Sequence, residues 1–346
     1  MKSLVIRAPF FIRSGYETLT ETICTELSKQ FEVFPISMNG EITNPNVKKL
    51  SRPLSKNITE NVELCILPVQ SDMNDYNLLF RVPKIGKRIF FTMWESTQLS
   101  MNVVDLLNTG KLVIVPNSWN KENFEIDGVI VPIEKCPLFI DTSIFKYNNH
   151  IDNDFFTFGS TNADPRKRLN DVIRCFCKAF SASIKDVKLK IKIDSQDLNK
   201  LIRFSDDRVE ISVQKLTKTE LANWYHNIDV FVSGTSSEGW GLMQHEAMAC
   251  GRPVIATCYS GLKEFFDSSV GLPLKYTEVP SEWSWGYSNG FWSKFDEDDM
   301  IDKLRWSYNN PNEIVSLGKK SSDRAKTYNV ENFVNILTDI LKNVKD

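Results

Sequence analysis

The sequence predicts an α/β protein of two doubly wound domains, each a parallel sheet with helices on both faces. Three observations predict it. Short apolar runs alternate with helical patterns from end to end, the rhythm of repeated strand–helix–strand units. The 346 residues are enough for two domains, each with its own core. Residues 146–154, K-Y-N-N-H-I-D-N-D, break the rhythm: they are polar, lack periodicity and read as a linker.

The elements follow in order. The N-terminus, M-K-S-L-V-I-R-A-P, has too short an apolar run for a signal peptide and reads as a first strand over residues 4–7. A helix is expected over 16–29, then strands at 32–36, 62–67 and 88–93. Helices over 100–107 and 118–124 separate these from strands at 112–115 and 129–132. After the linker come a strand at 155–159, a helix over 169–180, and strands at 187–193 and 209–213. Residues 187–193 alternate apolar positions with Lys188, Lys190 and Lys192, the pattern of a strand with one wet face. A helix over 218–225, a strand at 230–232, a helix from Leu242 and strands at 254–256 and 271–274 complete the second sheet. Three helices close the chain, over 297–308, 311–326 and 330–342. The domains are expected at 1–148 and 149–346. Packing of the last helix, about 330–346, back onto the first domain is the alternative to its staying with the second.

The most informative string is 230–251, V-F-V-S-G-T-S-S-E-G-W-G-L-M-Q-H-E-A-M-A-C-G. An apolar run leads into a small polar turn. Gly239 and Gly241 flank Trp240, and a helix begins at about Leu242 and Met243. Glycines let backbone approach a ligand, and the free N–H groups of a first helical turn suit a phosphate. Glu238 and Glu246 stand with seven residues between them. Glu246 lies on the face of Leu242, one turn further in. A carboxylate there does not suit phosphate. It suits a neutral polyol, such as a ribose whose vicinal hydroxyls both donate to it. Donors for a diphosphate beside acceptors for sugar hydroxyls are the chemistry of a nucleotide-sugar site. The plainer alternative is an ordinary strand–turn–helix with solvated glutamates. Residues 158–180 carry Arg166, Lys167 and Arg168 into another helix start. Cations there can neutralise a diphosphate, with a solvated basic cluster as the alternative.

The string closely resembles the E-x7-E signature of retaining nucleotide-sugar glycosyltransferases, the large family four of the GT-B type. E-G-W-G-L, E-A-M-A-C-G and P-V-I-A-T stand as that family writes them. The resemblance runs from about Arg88 to the C-terminus. It implies a GT-B fold, two Rossmann-like domains facing each other across a cleft that holds the active site. It also implies roles. Glu238 and the Gly239, Trp240, Gly241, Leu242 and Met243 turn would hold the donor sugar and β-phosphate. Glu246 would hold the ribose, and Lys167 with Arg166 the diphosphate. This chain departs from the pattern at Arg168, where a small residue is common, and at Ser160, where many members place arginine.

Residues 12–19, I-R-S-G-Y-E-T-L, place Gly15 where the family brings its first domain against the donor phosphate. Residues 90–99, F-F-T-M-W-E-S-T-Q-L, resemble a subgroup with W-E-S/T-T. Many members carry a histidine here, but this chain has only His150, His226 and His245. Glu95 is then a candidate for acceptor contact or for assisting proton removal, with a capping or surface glutamate as the alternative. P-N-S-W at 116–119 resembles a structural segment of the family.

No cofactor and no metal are expected. D-N-D at 152–154 spells the metal mark of another glycosyltransferase fold but falls in the linker. Hydrophobic content of 42% with 25% charged residues is that of a soluble globular chain. A net charge of −2 gives no pull toward nucleic acid. No apolar run reaches membrane-span length, so at most peripheral membrane contact is expected. Lys48, Lys49, Arg52 and Lys56 read as a solvated loop, with an anionic acceptor as the alternative. The seven cysteines are scattered, and Cys175 with Cys177 makes a poor zinc spacing. Reduced thiols and a cytoplasmic location follow. The expected activity is retaining, metal-independent transfer of a hexose from a nucleoside diphosphate sugar to a glycan, lipid-linked or protein-linked acceptor. An epimerase or phosphorylase on the same fold, or a non-catalytic nucleotide-sugar-binding protein, is the alternative.

Overall fold

In a computed structural model of the chain, residues 3–10, 15–38, 41–51, 62–68, 85–148, 154–162, 164–194, 201, 204–281 and 290–344 are described. By its contacts the chain forms two units. The first is Met1–Leu138 with Pro280–Phe291 and Val330–Asp346; the second is Phe139–Val279 with Trp292–Asn329. Both are parallel α/β sheets wound in both directions, as the alternating pattern predicts.

The first unit holds β1 (Ser3–Ala8), α1 (Gly15–Leu27), β2 (Glu32–Ser37), α2 (Pro45–Lys48), β3 (Val62–Ile66), β4 (Lys87–Phe91), α3 (Met101–Asn108), β5 (Leu112–Val115), α4 (Ser118–Ile126) and β6 (Ile133–Lys135). Its strands lie in the order β2-β1-β3-β4-β5-β6, all parallel. The sheet reverses direction between β1 and β3. Its core gathers Cys65, Phe90, Val104, Leu107, Val113 and Phe124. Glu63, fully buried, joins three strands by accepting from Arg7 (3.0 Å) and Arg88 (2.6 Å). α2 escapes the sequence reading because it is a single turn. Asn44 caps it by accepting from the Asn46 and Val47 N–H groups, and a proline opens it.

One strand is displaced from its expected place. Residues 129–132 do not form a strand; β6 follows at Ile133–Lys135. α4 ends at a left-handed Gly128, φ 99°, and the Val129 N–H turns back onto Phe124 O at 3.0 Å. Those residues reverse the chain before it can pair with β5. The last helix, α10 (Val330–Lys342), groups with this unit, and its Phe333 ring stacks on Phe91 with centroids 6.3 Å apart.

The second unit contains β7 (Phe156–Thr161), α5 (Leu169–Ala179), β8 (Val187–Ile193), β9 (Val209–Val213), α6 (Lys218–His226), β10 (Val230–Val232), α7 (Leu242–Ala249), β11 (Val254–Thr257), β12 (Leu272–Leu274), α8 (Glu297–Asn309) and α9 (Pro311–Ala325). The strand order is β12-β11-β10-β7-β8-β9, again parallel. β8 alternates buried and half-buried residues as its lysine pattern predicts. A further two-stranded sheet, β13 (Tyr276–Pro280) with β14 (Phe291–Phe295), is absent from the sequence expectation. β13 is almost wholly exposed, so it carries no apolar period to read. The core around Phe158, Val172, Phe176, Leu189, Val230 and Leu304 holds helices to the sheet. This sheet reverses direction between β7 and β10, and ligands of such sheets bind beyond the carboxyl ends of the strands at that point.

Candidate active site

The loops leaving β7 and β10 meet at this reversal. The first is shaped by local chemistry. Asp164 accepts from the Arg166 N–H at 2.9 Å, and Pro165 opens a short 3-10 turn over Pro165–Lys167. Arg168 then adopts φ 49° and reverses the chain into α5. A left-handed residue with a side chain is strained, which gives a physical reason for small residues at this position. Here Arg168 gains a bond from Nε to Ser236 Oγ at 2.7 Å.

The second loop, between β10 and α7, is buried throughout. Gly241 takes φ 102° and serves as the N-cap of α7, without a side chain to cap it. The helix therefore opens with N–H groups that no cap side chain covers. The two loops are laced together. The Ser236 N–H donates to Arg166 O at 2.8 Å, and the Arg166 guanidinium donates to the Ser237 carbonyl. From behind, the segment after β11 supports the turn. The Glu238 N–H donates to Ser260 Oγ at 2.8 Å, and the Gly261 N–H to Glu238 O at 2.9 Å. A Cβ on Gly261 would lie 2.5 Å from Gly239 O, so this approach requires glycine.

Three of the residues singled out in the sequence come together here. Glu238, 4% exposed, accepts from Arg166 Nη1 at 3.2 Å and from Lys167 Nζ. Burial by itself pushes its carboxyl up, but the Lys167 and Arg166 charges outweigh that and hold it well below the usual carboxylate range. Gln244 Nε2 adds a contact to Glu238 Oε1 at 3.4 Å and is itself anchored on Ser233 Oγ at 2.8 Å. Two cations, one anion and a helix N-terminus thus share one place.

Glu246 sits one turn further along α7 and meets a different partner. The Tyr225 hydroxyl donates to its Oε2 at 3.0 Å. Burial pushes the Glu246 carboxyl up to about 7, against the opposing effects of the Tyr225 bond and the Lys218 and Lys192 charges. Tyr225 also lines a pocket at the carboxyl ends of β7 and β8, together with Thr161, Lys192, Asp194, Leu221 and Met243. Its volume is about 130 Å³. The Thr161 hydroxyl contacts the Met243 sulfur. Trp240 is 2% exposed, its ring packed on Phe265 and Tyr328, which leaves only its backbone for a ligand.

Gly15 and Glu95 belong to the other unit. Gly15 is the first residue of α1, beside the reversal of the first sheet; residues 11–14 lie outside the described residues. Glu95 is half-buried in the turn after β4. That turn is braced by Trp94 Nε1 donating to Gln98 O at 2.7 Å and by the Phe291 N–H donating to Thr97 Oγ1 at 2.8 Å. Asn117 of P-N-S-W caps α4 by accepting from the Asn120 N–H. Lys48 and Lys49 are exposed, whereas Arg52, Lys56 and residues 152 and 153 of the D-N-D triplet lie outside the described residues. All seven cysteines are free; burial pushes Cys250 up to about 12. Among the described residues no helix is long and apolar enough to cross a membrane, and no three His, Cys, Asp or Glu side chains are grouped to hold a metal ion.

Tyr225, Gln244, Ser260 and Gly261 were not singled out in the sequence. The Ser260–Gly261 pair after a strand is a turn signal that could have pointed to a supporting loop. Tyr225 and Gln244 carry no local signal.

Residues 152–282 match the family model described as glycosyl transferases group 1, a span that contains Arg166, Lys167, Tyr225, Glu238, Glu246 and Gly261. A D-inositol 3-phosphate glycosyltransferase of Pseudarthrobacter chlorophenolicus is 31% identical over 132 residues, which is 38% of this chain and 27% of that protein. The match thus spans about a quarter of that curated relative. Among solved structures, sucrose-phosphate synthase from Thermosynechococcus elongatus has a TM-score of 0.73 at 14% identity, covering 99% of this chain and 98% of that one. HepE of Anabaena in complex with UDP and glucose has a TM-score of 0.70 at 12% identity, covering 99% and 100%. At such identities the likeness is one of fold, and the fold is that of the GT-B glycosyltransferases.

Proposed function

We propose that the chain is a retaining glycosyltransferase that moves a hexose from a nucleoside diphosphate to an acceptor hydroxyl, with no metal ion. One observation carries this reading: Glu238 is held between Arg166 and Lys167 at the sheet reversal, beside the side-chain-free N-cap of α7. The cations and the helix start meet a diphosphate, and the carboxylate meets sugar hydroxyls. Positive charge already in place replaces the need for a divalent ion.

In this reading the donor ribose donates to Glu246, and the base enters the pocket beside Tyr225. As the glycosidic bond breaks, negative charge grows on the β-phosphate, where Lys167, Arg166 and the α7 N–H groups stabilise it. The departing phosphate takes the acceptor proton on the same face of the sugar, which keeps the anomeric configuration. Glu95 is assigned the acceptor hydroxyl, and Gly15 a backbone approach to the donor phosphate. The acceptor is a glycan, lipid-linked or protein-linked sugar. Free thiols, most of them buried, suit a cytoplasmic setting. The match to the glycosyltransferase group 1 model and the UDP and glucose bound by HepE support the donor class.

The test is an NMR-monitored reaction with UDP-, GDP- and ADP-sugars and simple glycan acceptors, with and without EDTA. Turnover that retains the donor's anomeric configuration and survives EDTA is expected. Loss of turnover on chelation, restored by added metal, would falsify the metal-free site. An inverted product would overturn the retaining mechanism. Nucleotide-sugar binding without turnover on any acceptor would point to a binding protein.

A further inference from the structure

His245 lies inside the E-x7-E string, one residue before Glu246, yet its side chain meets the Trp240 indole and not Glu238. It is fully buried, in a ring cluster with Trp240, Phe265 and Tyr328, whose centroids lie 5.7, 5.0 and 5.9 Å from its own. Both of its nitrogens are engaged. Trp240 Nε1 lies 3.1 Å from His245 Nδ1, and the Ala325 carbonyl 3.1 Å from His245 Nε2. An indole N–H can only donate and a carbonyl can only accept. Nδ1 must therefore accept, and Nε2 must carry the proton. Burial holds the ring's pKa down at about 4, which favours this neutral tautomer at neutral pH.

The two bonds join two distant parts of the second unit. Ala325 is the last residue of α9, and its carbonyl accepts from the Tyr328 N–H at 3.1 Å as well as from His245 Nε2. Trp240 stands between Gly239 and Gly241. Glycines have no side chain to pack and a wide choice of backbone angles, so the indole is the side-chain anchor of that stretch. Its polar edge is held by His245, and its faces by Phe265 and Tyr328.

We propose that His245 is a positioning residue for the donor turn: by accepting the Trp240 indole N–H while bonded to the end of α9, it holds the backbone of Gly239–Leu242 in its donor-binding conformation. This rests on the reading of that turn as the donor site. His245 touches no substrate in this assignment, and it acts through Trp240.

Two substitutions separate the two bonds. His245→Asn places an amide oxygen two bonds from Cβ, where Nδ1 stands, and stops short of Ala325. His245→Gln places an amide nitrogen three bonds from Cβ, where Nε2 stands, and leaves no acceptor two bonds from Cβ, where Trp240 meets Nδ1. Calorimetry with UDP, GDP and ADP should find affinity kept within about threefold in His245→Asn and weakened about tenfold or more in His245→Gln, because a buried donor is stranded only in the second. Melting temperatures should fall in both. Amide hydrogen exchange over 236–244 should quicken in His245→Gln and not in His245→Asn. In a Trp240→Phe background, adding His245→Gln should cost no further affinity. Equal affinities and equal exchange in the two variants would overturn the proposal, as would a further loss in the Trp240→Phe background. If the wild-type chain binds none of the three nucleotides, the donor reading fails. The exchange contrast still decides whether His245 positions the turn.

Discussion

The Tyr225 hydroxyl donates to Glu246 Oε2 at 3.0 Å, and under the proposed function this bond ties nucleotide affinity to pH. Burial pushes the Glu246 carboxyl up to about 7, while the Tyr225 bond favours its charged form. Only the carboxylate accepts from both ribose hydroxyls. Nucleoside diphosphate affinity should therefore rise as the pH increases through about 7. Tyr225→Phe removes a donor to the charged form, so its midpoint should lie at higher pH. Phosphate titration is common to both proteins, so the displacement between the two curves, read by calorimetry, carries the test. Stability has the opposite sign. The folded pKa lies above the ordinary value of a glutamate, so the contribution is full below that ordinary value and is lost as pH rises through about 7.

Removing Glu238 should destabilise the chain in a way that ligand corrects. Arg166 and Lys167 are both less than a tenth exposed, and Glu238→Ala leaves them without their carboxylate. Breaking such a buried set costs about 3–5 kcal/mol. A diphosphate on the same cations would supply the missing anion. Scanning calorimetry should find a larger stabilisation by nucleoside diphosphate in Glu238→Ala than in wild type. Equal ligand-induced shifts would mean that the phosphates sit elsewhere.

Lys167→Ala should act on the chemical step more than on binding. The ammonium faces Glu238, and in the proposed reaction it meets the full phosphate charge only as the leaving group departs. Loss of one such stabilising donor typically lowers kcat by roughly a hundredfold or more. Steady-state kinetics beside donor Kd should give the larger change in kcat. An unchanged kcat would make the basic loop a structural feature alone.

Gly261→Ala should weaken donor binding although Gly261 bears no functional group. Its Cβ would fall 2.5 Å from Gly239 O and 2.7 Å from Glu238 O, and backbone atoms of a braced turn cannot swing aside. A loss of about tenfold in nucleotide affinity is expected, with a lower melting temperature. Gly159→Ala is the control. There the new atom meets side chains, Ile228 at 2.4 Å and Trp224 at 2.9 Å, so stability should fall while affinity changes little. Equal affinity losses in the two variants would remove the special place given to the Gly261 contact.

The sequence by itself determined the two parallel sheets, because the alternation of strand and helix is written in residues close together along the chain. Val187–Ile193, Val209–Val213 and Val330–Lys342 form at the expected residues for that reason. The turn between β10 and α7 was legible likewise, since its glycines and helix start lie within one short string; its role as the donor site is the proposal made above. Residues 129–132 misled because an apolar run does not show that Gly128 and the Val129 N–H will use it to reverse the chain. Only the tertiary structure decided which side chains meet. Glu238 faces Arg166 and Lys167 because the strand order sets β7 beside β10. Tyr225 reaches Glu246, and Gly261 wedges beneath Gly239, through the same arrangement. Periodicity fixes the direction in which a residue points along its own element, whereas its partner is set by how elements distant in sequence pack, and that packing minimises the energy of the whole core.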